Sequence, residues 1–505
     1  MSEYIKVDSK IDEHSSIENL VQNSLVQIFN DRVSYDFVRP WKIRNRYTST
    51  GTGFCVEING NKYILTNAHC IASTTLLRVQ PYGKATKYPT TIAYVMPAID
   101  LTLLTTDDDS LWKILEPMTF TNELPQLLET IYAVGYPLGG TNISFTKGVV
   151  SRLIDVIYEN HGYVNNLAIQ IDASINPGSS GGPAVNSKGV VVGIAFQEPV
   201  EAEGMGQIIP SCIYTGVFLH YFSKYGSLPE PERSIKTNQI SELGIEYQTM
   251  ENPDLRRYYK MSNEQTGILV TNIMTLSNLK EVILPGDVIM SFNGIKIESN
   301  GTVQLASNRK IHLSYDYLVT NHPPETPCLL KILREGKTQS IEVIPKYTVK
   351  AVEGNCYHTE NPYLIVGGFV FITPSVQYIN QLIDEGESIS PYIETIMYNL
   401  DADRSDHEII ILSVILPNEI NMGYSMQSFR SHQLYKFNDQ CIYNLKQLAS
   451  LVDNNTQSYM KLEFNNFLDN SRPVIIMDNV KVKKRTSAIL KENLIAYDRS
   501  ENLRY

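Results

Sequence analysis

The sequence predicts a mainly β protein of several domains, and three observations carry that prediction. Its 505 residues exceed what one hydrophobic core organises, so about three domains are expected. From Ile17 to about Leu228, short β-branched runs are separated by Gly, Asn and Asp turns, the pattern of an all-β barrel or sandwich. Beyond the composition break at Pro229-Glu230-Pro231-Glu232, strand-like segments mix with isolated helical stretches, as in small α+β units.

The elements follow in order. Residues 1–16 read as a polar tail, and 17–228 as one domain with strands at Tyr63 to Thr66, Leu101 to Leu104, Gly148 to Val150 and Gly189 to Phe196. Residues 229–346 form a strand-rich unit with a helix over Asn252 to Met261, opened by Pro253. Residues 347–480 form a further mixed unit with a helical stretch at Asn444 to Val452. The two units could be distant copies of one module. Residues 481–505 show no clear pattern and read as a tail.

Composition narrows the function. Hydrophobic residues make up 43% and charged ones 19%, as in ordinary folded proteins. The net charge of -11 argues against nonspecific nucleic-acid binding, which needs a cationic footprint. The short basic run Lys481-Val482-Lys483-Lys484-Arg485 reads as a solvated face, with a localisation signal as the lesser alternative. The N-terminus MSEYIKVDSKIDEH lacks the apolar core of a secretory signal, and the longest apolar runs are too short to span a bilayer. The expected setting is therefore intracellular and soluble. Six cysteines at this length do not form a disulfide framework. Cys55 and Cys70 would flank one hairpin and are expected to be free, buried thiols. Neither a metal-ligand spacing nor a phosphate loop is present, so no metal and no cofactor are expected.

Three stretches carry chemistry, in the order His, Asp, Ser. Leu65-Thr66-Asn67-Ala68-His69-Cys70 reads as a strand ending at His69, and Ile99-Asp100 precedes the strand Leu101 to Leu104. The third is Asn176-Pro177-Gly178-Ser179-Ser180-Gly181-Gly182-Pro183. A serine becomes a nucleophile when an imidazole takes its proton, and a carboxylate fixes and stabilises that imidazole. The tetrahedral intermediate needs backbone donors, which a glycine-rich turn can aim. Gly178, Ser179 and Ser180 are the expected oxyanion donors. Taken singly, each stretch has a plainer reading: a buried His-Cys pair, a turn aspartate, a flexible linker. Strand-like segments and two prolines bracket the glycine-rich run, which is a poor setting for a linker.

Together with Thr50-Gly51-Thr52-Gly53-Phe54 and Ala133-Val134-Gly135-Tyr136-Pro137, these motifs resemble the Deg/HtrA serine proteases. The plant-type Deg branch is the nearest match, through Arg39-Pro40-Trp41, Gly193 to Gln197 and Glu251 to Arg256. The resemblance implies a chymotrypsin-like double β-barrel followed by two PDZ-like α+β domains. It implies ATP-independent cleavage of unfolded or damaged proteins, with His69 as base, Asp100 as orienting acid and Ser180 as nucleophile. It also implies homo-oligomers, trimers or multiples of them, with Tyr35, Phe37 and Trp41 either as subunit contacts or packed within their own subunit. A chymotrypsin-like pocket would have Ser174 near its floor and walls from Gly193, Ile194, Ala195 and Phe196 with Gln207, Ile208 and Ile209. No carboxylate lies at that floor, so small or medium apolar residues are the expected targets.

Glu242-Leu243-Gly244-Ile245 and Leu284 to Ile289 with Phe292-Asn293-Gly294-Ile295 resemble a PDZ domain. Leu243, Gly244 and Ile245 would then be the loop that holds a peptide's terminal carboxylate. Gly367-Gly368-Phe369 and Phe437 to Gln440 resemble a degenerate second PDZ domain, expected to serve assembly. The alternative from another class is a proteolytically silent PDZ scaffold or holdase.

Overall fold

The computed structural model describes residues 13–137, 140, 142–158, 165–197, 204–229, 240–306, 309–352, 361–387, 401–402, 404–429, 432–465 and 471–504. The expected linker residues Glu230, Pro231 and Glu232 lie outside them.

The chain opens with helix α1 (Glu13–Gln22), where sequence reading placed a tail to residue 16. Ile17 and Val21, four apart on one helix face, are buried in the core of the first domain, so the fold claims this segment. That domain holds two antiparallel β units. The first is a seven-stranded sheet of β1 (Leu25–Tyr35), β2 (Ile43–Ile58), β3 (Asn61–Asn67), β4 (Thr74–Pro81), β5 (Tyr88–Pro89), β6 (Thr91–Met96) and β7 (Leu101–Thr105). The second closes into a six-stranded barrel of β8 (Thr130–Gly135), β9 (Ser144–Ile157), β10 (Asn165–Ile171), β11 (Pro183–Asn186), β12 (Val191–Gln197) and β13 (Gly206–Pro210). One hydrophobic cluster joins both, from Phe54, Leu65 and Leu101 to Ala168, Ile194 and Phe196. Helices α2 (Asp109–Trp112) and α3 (Leu219–Tyr225) follow the two units.

The next unit comprises β14 (Ile245–Thr249), α4 (Pro253–Tyr258), β15 (Ile268–Ile273), β16 (Val288–Phe292), β17 (Ile295–Lys296), β18 (Thr302–Ala306), β19 (Arg309–Ser314), α5 (Asp316–Thr320), β20 (Cys328–Arg334) and β21 (Lys337–Val343). Its sheet runs β14-β15-β16-β20-β21. Helix α4 starts where expected, with Asn252 capping the N–H groups of Asp254 and Leu255 ahead of Pro253. Asn293 and Gly294 both have positive φ, which sets the tight hairpin between β16 and β17. The unit packs on the barrel: Leu313 joins the barrel core, and Asp155 of β9 accepts the Ser314 N–H at 2.7 Å.

The last unit repeats that plan. It has β22 (Tyr363–Val366), β23 (Phe369–Ile372), α6 (Val376–Asp384), β24 (Ile411–Ile415), β25 (Gln433–Phe437), β26 (Gln440–Cys441), α7 (Leu445–Asp453), β27 (Tyr459–Asn465), β28 (Val474–Asp478) and α8 (Asn479–Glu492). Strands β23-β24-β25-β27-β28 match the order of β14-β15-β16-β20-β21, so the two units are copies of one module. They differ at one edge. In the first, no described strand pairs with the outer side of β14; in the second, β22 lies antiparallel along β23. Leu364 and Val366 of β22 pack against Leu445, Leu448 and Val452 of α7, filling the space between strand and helix.

One segment takes a place that sequence reading did not give it, and a second bears on an alternative that reading left open. Residues 481–505 are not a tail: Val482 and Ile489 of α8 are buried, and Asp498 to Ser500 run along β22. The backbone N–H of Ile365 donates to Asp498 O at 2.7 Å, and Arg499 pairs with Asp453 at 2.7 and 2.8 Å. The tip between β1 and β2 docks on the last unit of the same chain. Val38, Phe37 and Trp41 pack there, with the Trp41 and Tyr363 rings 5.8 Å apart. Asp36 and the Phe37 N–H bond to Gln381, and Ser413 donates to Val38 O at 2.8 Å.

Truncating Trp41 to Ala therefore removes part of a buried inter-domain contact, at a cost of about 2 kcal/mol. Trp41→Ala should lower the denaturant midpoint of the transition that exposes the C-terminal unit. An unchanged unfolding curve would show that the docked tip carries no stability.

Candidate active site

His69 comes directly off β3, at the start of a short 3-10 turn, His69–Ile71. Asp100 ends a second such turn, Pro97–Ile99, and adopts the left-handed conformation at φ 54°, which aspartate tolerates better than bulky residues. The two turns lock together at the backbone. Asp100 O accepts from the Ala68 N–H at 3.1 Å and from Asn67 Nδ2 at 3.0 Å. One carboxylate oxygen of Asp100 then accepts the His69 backbone N–H at 2.9 Å, and the other lies 2.7 Å from His69 Nδ1. Asp100 is fully buried, so its carboxylate is directed at one target.

Burial acts to depress the His69 pKa, but Asp100 outweighs it, with Cys70 adding to the upward pull; the imidazole sits well above its ordinary 6.5. Cys55 and Cys70 are buried free thiols. Burial pushes the Cys55 thiol up to about 12, which keeps it protonated and inert.

Ser180 belongs to the turn between β10 and β11, and Thr52 of β2 fixes that turn from the opposite barrel. The Thr52 N–H donates to Ser180 O at 2.9 Å, and Thr52 Oγ1 donates to Gly178 O at 2.8 Å. The same hydroxyl accepts the Tyr136 N–H at 2.9 Å. Between these pinned carbonyls, the Ser179 N–H donates to Asn176 O at 2.9 Å and the Gly181 N–H to Ala195 O at 2.8 Å. The Gly178 and Ser180 N–H groups are left with no acceptor among the described residues. That corrects the expected donor set: Ser179 is already engaged, so the pair available to an oxyanion is Gly178 and Ser180. Gly178, at φ +94°, and Gly181, at φ +84°, take angles that disfavour side chains. A Cβ on Gly181 would fall 2.1 Å from Thr66 Oγ1.

The Ser180 hydroxyl donates to Phe196 O at 3.2 Å, and no hydrogen bond joins it to His69 among the described residues. Catalytic contacts of this kind often tighten only with substrate.

The expected pocket walls need correction. Along the paired strands β12 and β13, Ile194, Phe196 and Ile209 enter the cluster joining the two barrels, whereas Ala195 and Ile208 enter the core of the second barrel. These side chains are committed to packing, and Gly193 and Gln207 are likewise buried. Ser174 is half-buried. Its neighbour Ile175, missed by sequence reading, is buried against Gly206, where a Cβ would come within 2.6 Å of Ile175 Cγ1. The apolar residue just before Asn176-Pro177-Gly178 was the available signal.

The loop Leu243-Gly244-Ile245 lines a cavity of about 140 Å³ with Met274, Tyr315, Asp316 and Val319. Gly244 is left-handed at φ +60°, and a Cβ there would meet Thr348 Oγ1 at 2.5 Å.

Two measurements test this geometry. Thr52→Val keeps the shape but removes the hydroxyl between Gly178 O and the Tyr136 N–H; it should cost about 1–3 kcal/mol of stability. It should also lower kcat at least ~10-fold, because the oxyanion donors lose their support. The base must be neutral, so kcat/KM should rise with pH through the His69 pKa, with a midpoint above 6.5. A midpoint at or below that value would contradict the buried Asp100–His69 pair.

Comparison with known proteins gives this site its family. A trypsin-like peptidase domain matches residues 51–194, and a PDZ domain matches residues 352–502. The putative mitochondrial protease Do-like 3 of Arabidopsis thaliana is 33% identical over 98% of this chain and 83% of its own length. The chloroplastic protease Do-like 2 of the same plant is 33% identical over 95% of this chain and 75% of its own. Among solved structures, the HtrA-type protease AlgW with a tripeptide aligns with a TM-score of 0.48 at 21% identity, covering 66% of this chain and 96% of that one. With a third of its residues shared over nearly its whole length with Do-like proteases, the chain belongs to the Deg/HtrA family of serine endopeptidases with PDZ domains.

Proposed function

We propose that His69, Asp100 and Ser180 perform the proteolysis, on unfolded or damaged protein chains and without ATP. The observation that carries this reading is the buried carboxylate 2.7 Å from His69 Nδ1, in a domain whose serine turn offers two unused N–H groups. Rotation about the Ser180 side chain moves Oγ from Phe196 O toward His69. Oγ then attacks the peptide carbonyl carbon while His69 Nε2 takes its proton. The carbonyl oxygen becomes an oxyanion held by the Gly178 and Ser180 N–H groups. Collapse breaks the C–N bond, and His69 returns the proton to the leaving amine. Water repeats the sequence and frees the acid. Asp100 holds the imidazolium and its tautomer throughout.

Ser174 borders the side-chain pocket in this reading and brings no carboxylate to it, which favours small or medium apolar residues before the scissile bond. The loop at Leu243 to Ile245 holds a terminal carboxylate in the first PDZ domain. The second, with β22 along β23, serves assembly. A homo-oligomer, trimeric or a multiple of trimers, is part of the proposal. The packing of Phe37 and Trp41 against the last unit of their own chain supports the own-subunit reading of these two residues. No described helix is long and apolar enough to cross a membrane, and an intracellular setting is retained as part of the proposal.

Reduced casein incubated with the unsubstituted protein should be cut, and cutting should vanish with Ser180→Ala. Uncut casein in both samples, together with suppressed aggregation, would instead support the silent holdase.

A further inference from the structure

The first PDZ domain has a groove whose chemistry changes along its length. Near the loop Leu243-Gly244-Ile245 it offers the apolar side chains of Ile245, Met274 and Val319, with Glu242, which is paired to Lys350, at its border. Toward the start of α5 it is bordered by the Tyr315 ring and the Asp316 carboxylate. The outer edge of β14, with which no described strand pairs, forms the remaining side.

Strand periodicity fixes what an added peptide would meet. A chain pairing antiparallel with β14 ends beside Ile245, and its residue two before the end lies beside Tyr247. Ile245 and Tyr247 are two apart and share a face. That face looks toward α5, because the Tyr247 ring meets the Tyr315 ring edge-on at 5.1 Å. The final side chain therefore enters the apolar end, and the side chain two earlier points to Tyr247, Tyr315 and Asp316.

The charge at that second position is uncompensated. Asp316 accepts from Ser314 Oγ at 2.9 Å, and the Ser314 N–H donates to Asp155 Oδ2 at 2.7 Å. Neither carboxylate has a cationic partner among the described residues, whereas Glu242 nearby faces Lys350 Nζ at 3.3 Å. Burial, above all, pushes both aspartate carboxyls up. Carboxylates out of water normally carry a paired cation, and the two rings add faces that attract one.

We infer that this groove selects peptides ending in a small apolar residue with arginine or lysine two positions before the end. The inference rests on the carboxylate-loop reading of Leu243 to Ile245 and extends it to the ligand's class. An incoming guanidinium or ammonium would share the Asp316 carboxylate with Ser314 and Tyr315, supplying the cation it lacks among the described residues, and lie against Tyr247. A glutamate there would meet a like charge.

The test uses the full chain carrying Ser180→Ala, so that bound peptide is not cut, and fluorescence anisotropy with labelled peptides ending Arg-Ala-Val or Glu-Ala-Val. The arginine peptide should bind roughly 10-fold tighter, and Asp316→Asn should erase that advantage while leaving both peptides bound. If that variant misfolds, salt gives the second measurement: the advantage should shrink between ~50 and ~500 mM NaCl. Equal affinities that both disappear on amidating the peptide terminus would overturn the selectivity and leave the carboxylate loop standing. Absence of binding by every peptide would overturn both.

Discussion

Thr52 is the constraint on which the active site depends. It is fully buried on a strand of the first sheet, yet two of its polar groups, the N–H and the hydroxyl, act on the second barrel. Its N–H and hydroxyl turn the carbonyls of Ser180 and Gly178 inward. The peptide planes that alternate with them are thereby set so that the Gly178 and Ser180 N–H groups are free. A hydroxyl can donate and accept at once, and Thr52 does both, taking the Tyr136 N–H as acceptor. Each bond is made where water cannot substitute, so losing one leaves a buried group unpaired at about 1–3 kcal/mol.

The same closeness explains the residues around it. A Cβ on Gly182 would stand 2.0 Å from Val134 O, and one on Gly181 2.2 Å from Thr52 O. The serine turn thus meets both barrels at backbone distance. His69 and Asp100 come from the first sheet alone, through turns whose backbones bond to each other before their side chains do. The proposed catalytic geometry is divided between the two units, with Ser180 on one and the His69–Asp100 pair on the other. Thr52 is the residue that fixes one against the other.

Much of this was legible in the sequence because short motifs encode local backbone needs. Glycines around Ser180, the strand before His69 and the acid before Leu101 each announce a local conformation. Long-range partners were not legible. That Ser179 spends its N–H on Asn176 O depends on the orientation of the Gly178 carbonyl, set by Thr52 from 126 residues away. The packing of the expected pocket walls was hidden for a related reason. Alternation along β12 and β13 could be read, but not that both faces are buried. Helix α8 escaped because its charged run hides the buried pair Val482 and Ile489. The docked tip stayed between two readings because Phe37 and Trp41 find their partners more than three hundred residues on, as the Phe37–Gln381 separation of 344 shows.

The two PDZ domains show how one plan supports different work. In the first, no described strand pairs with the outer edge of β14, and a cavity lies beside it. In the second, β22 occupies the equivalent edge and uses both of its faces. Leu364 and Val366 fill the space against α7. Tyr363 and Ile365, alternating with them, face the tip carrying Val38 and Trp41. One four-residue strand therefore closes the groove and forms the surface on which the protease domain docks. A peptide could enter only by displacing β22, which would also strip the tip of its partner. Recognition and docking exclude each other in this domain, which leaves peptide capture to the first.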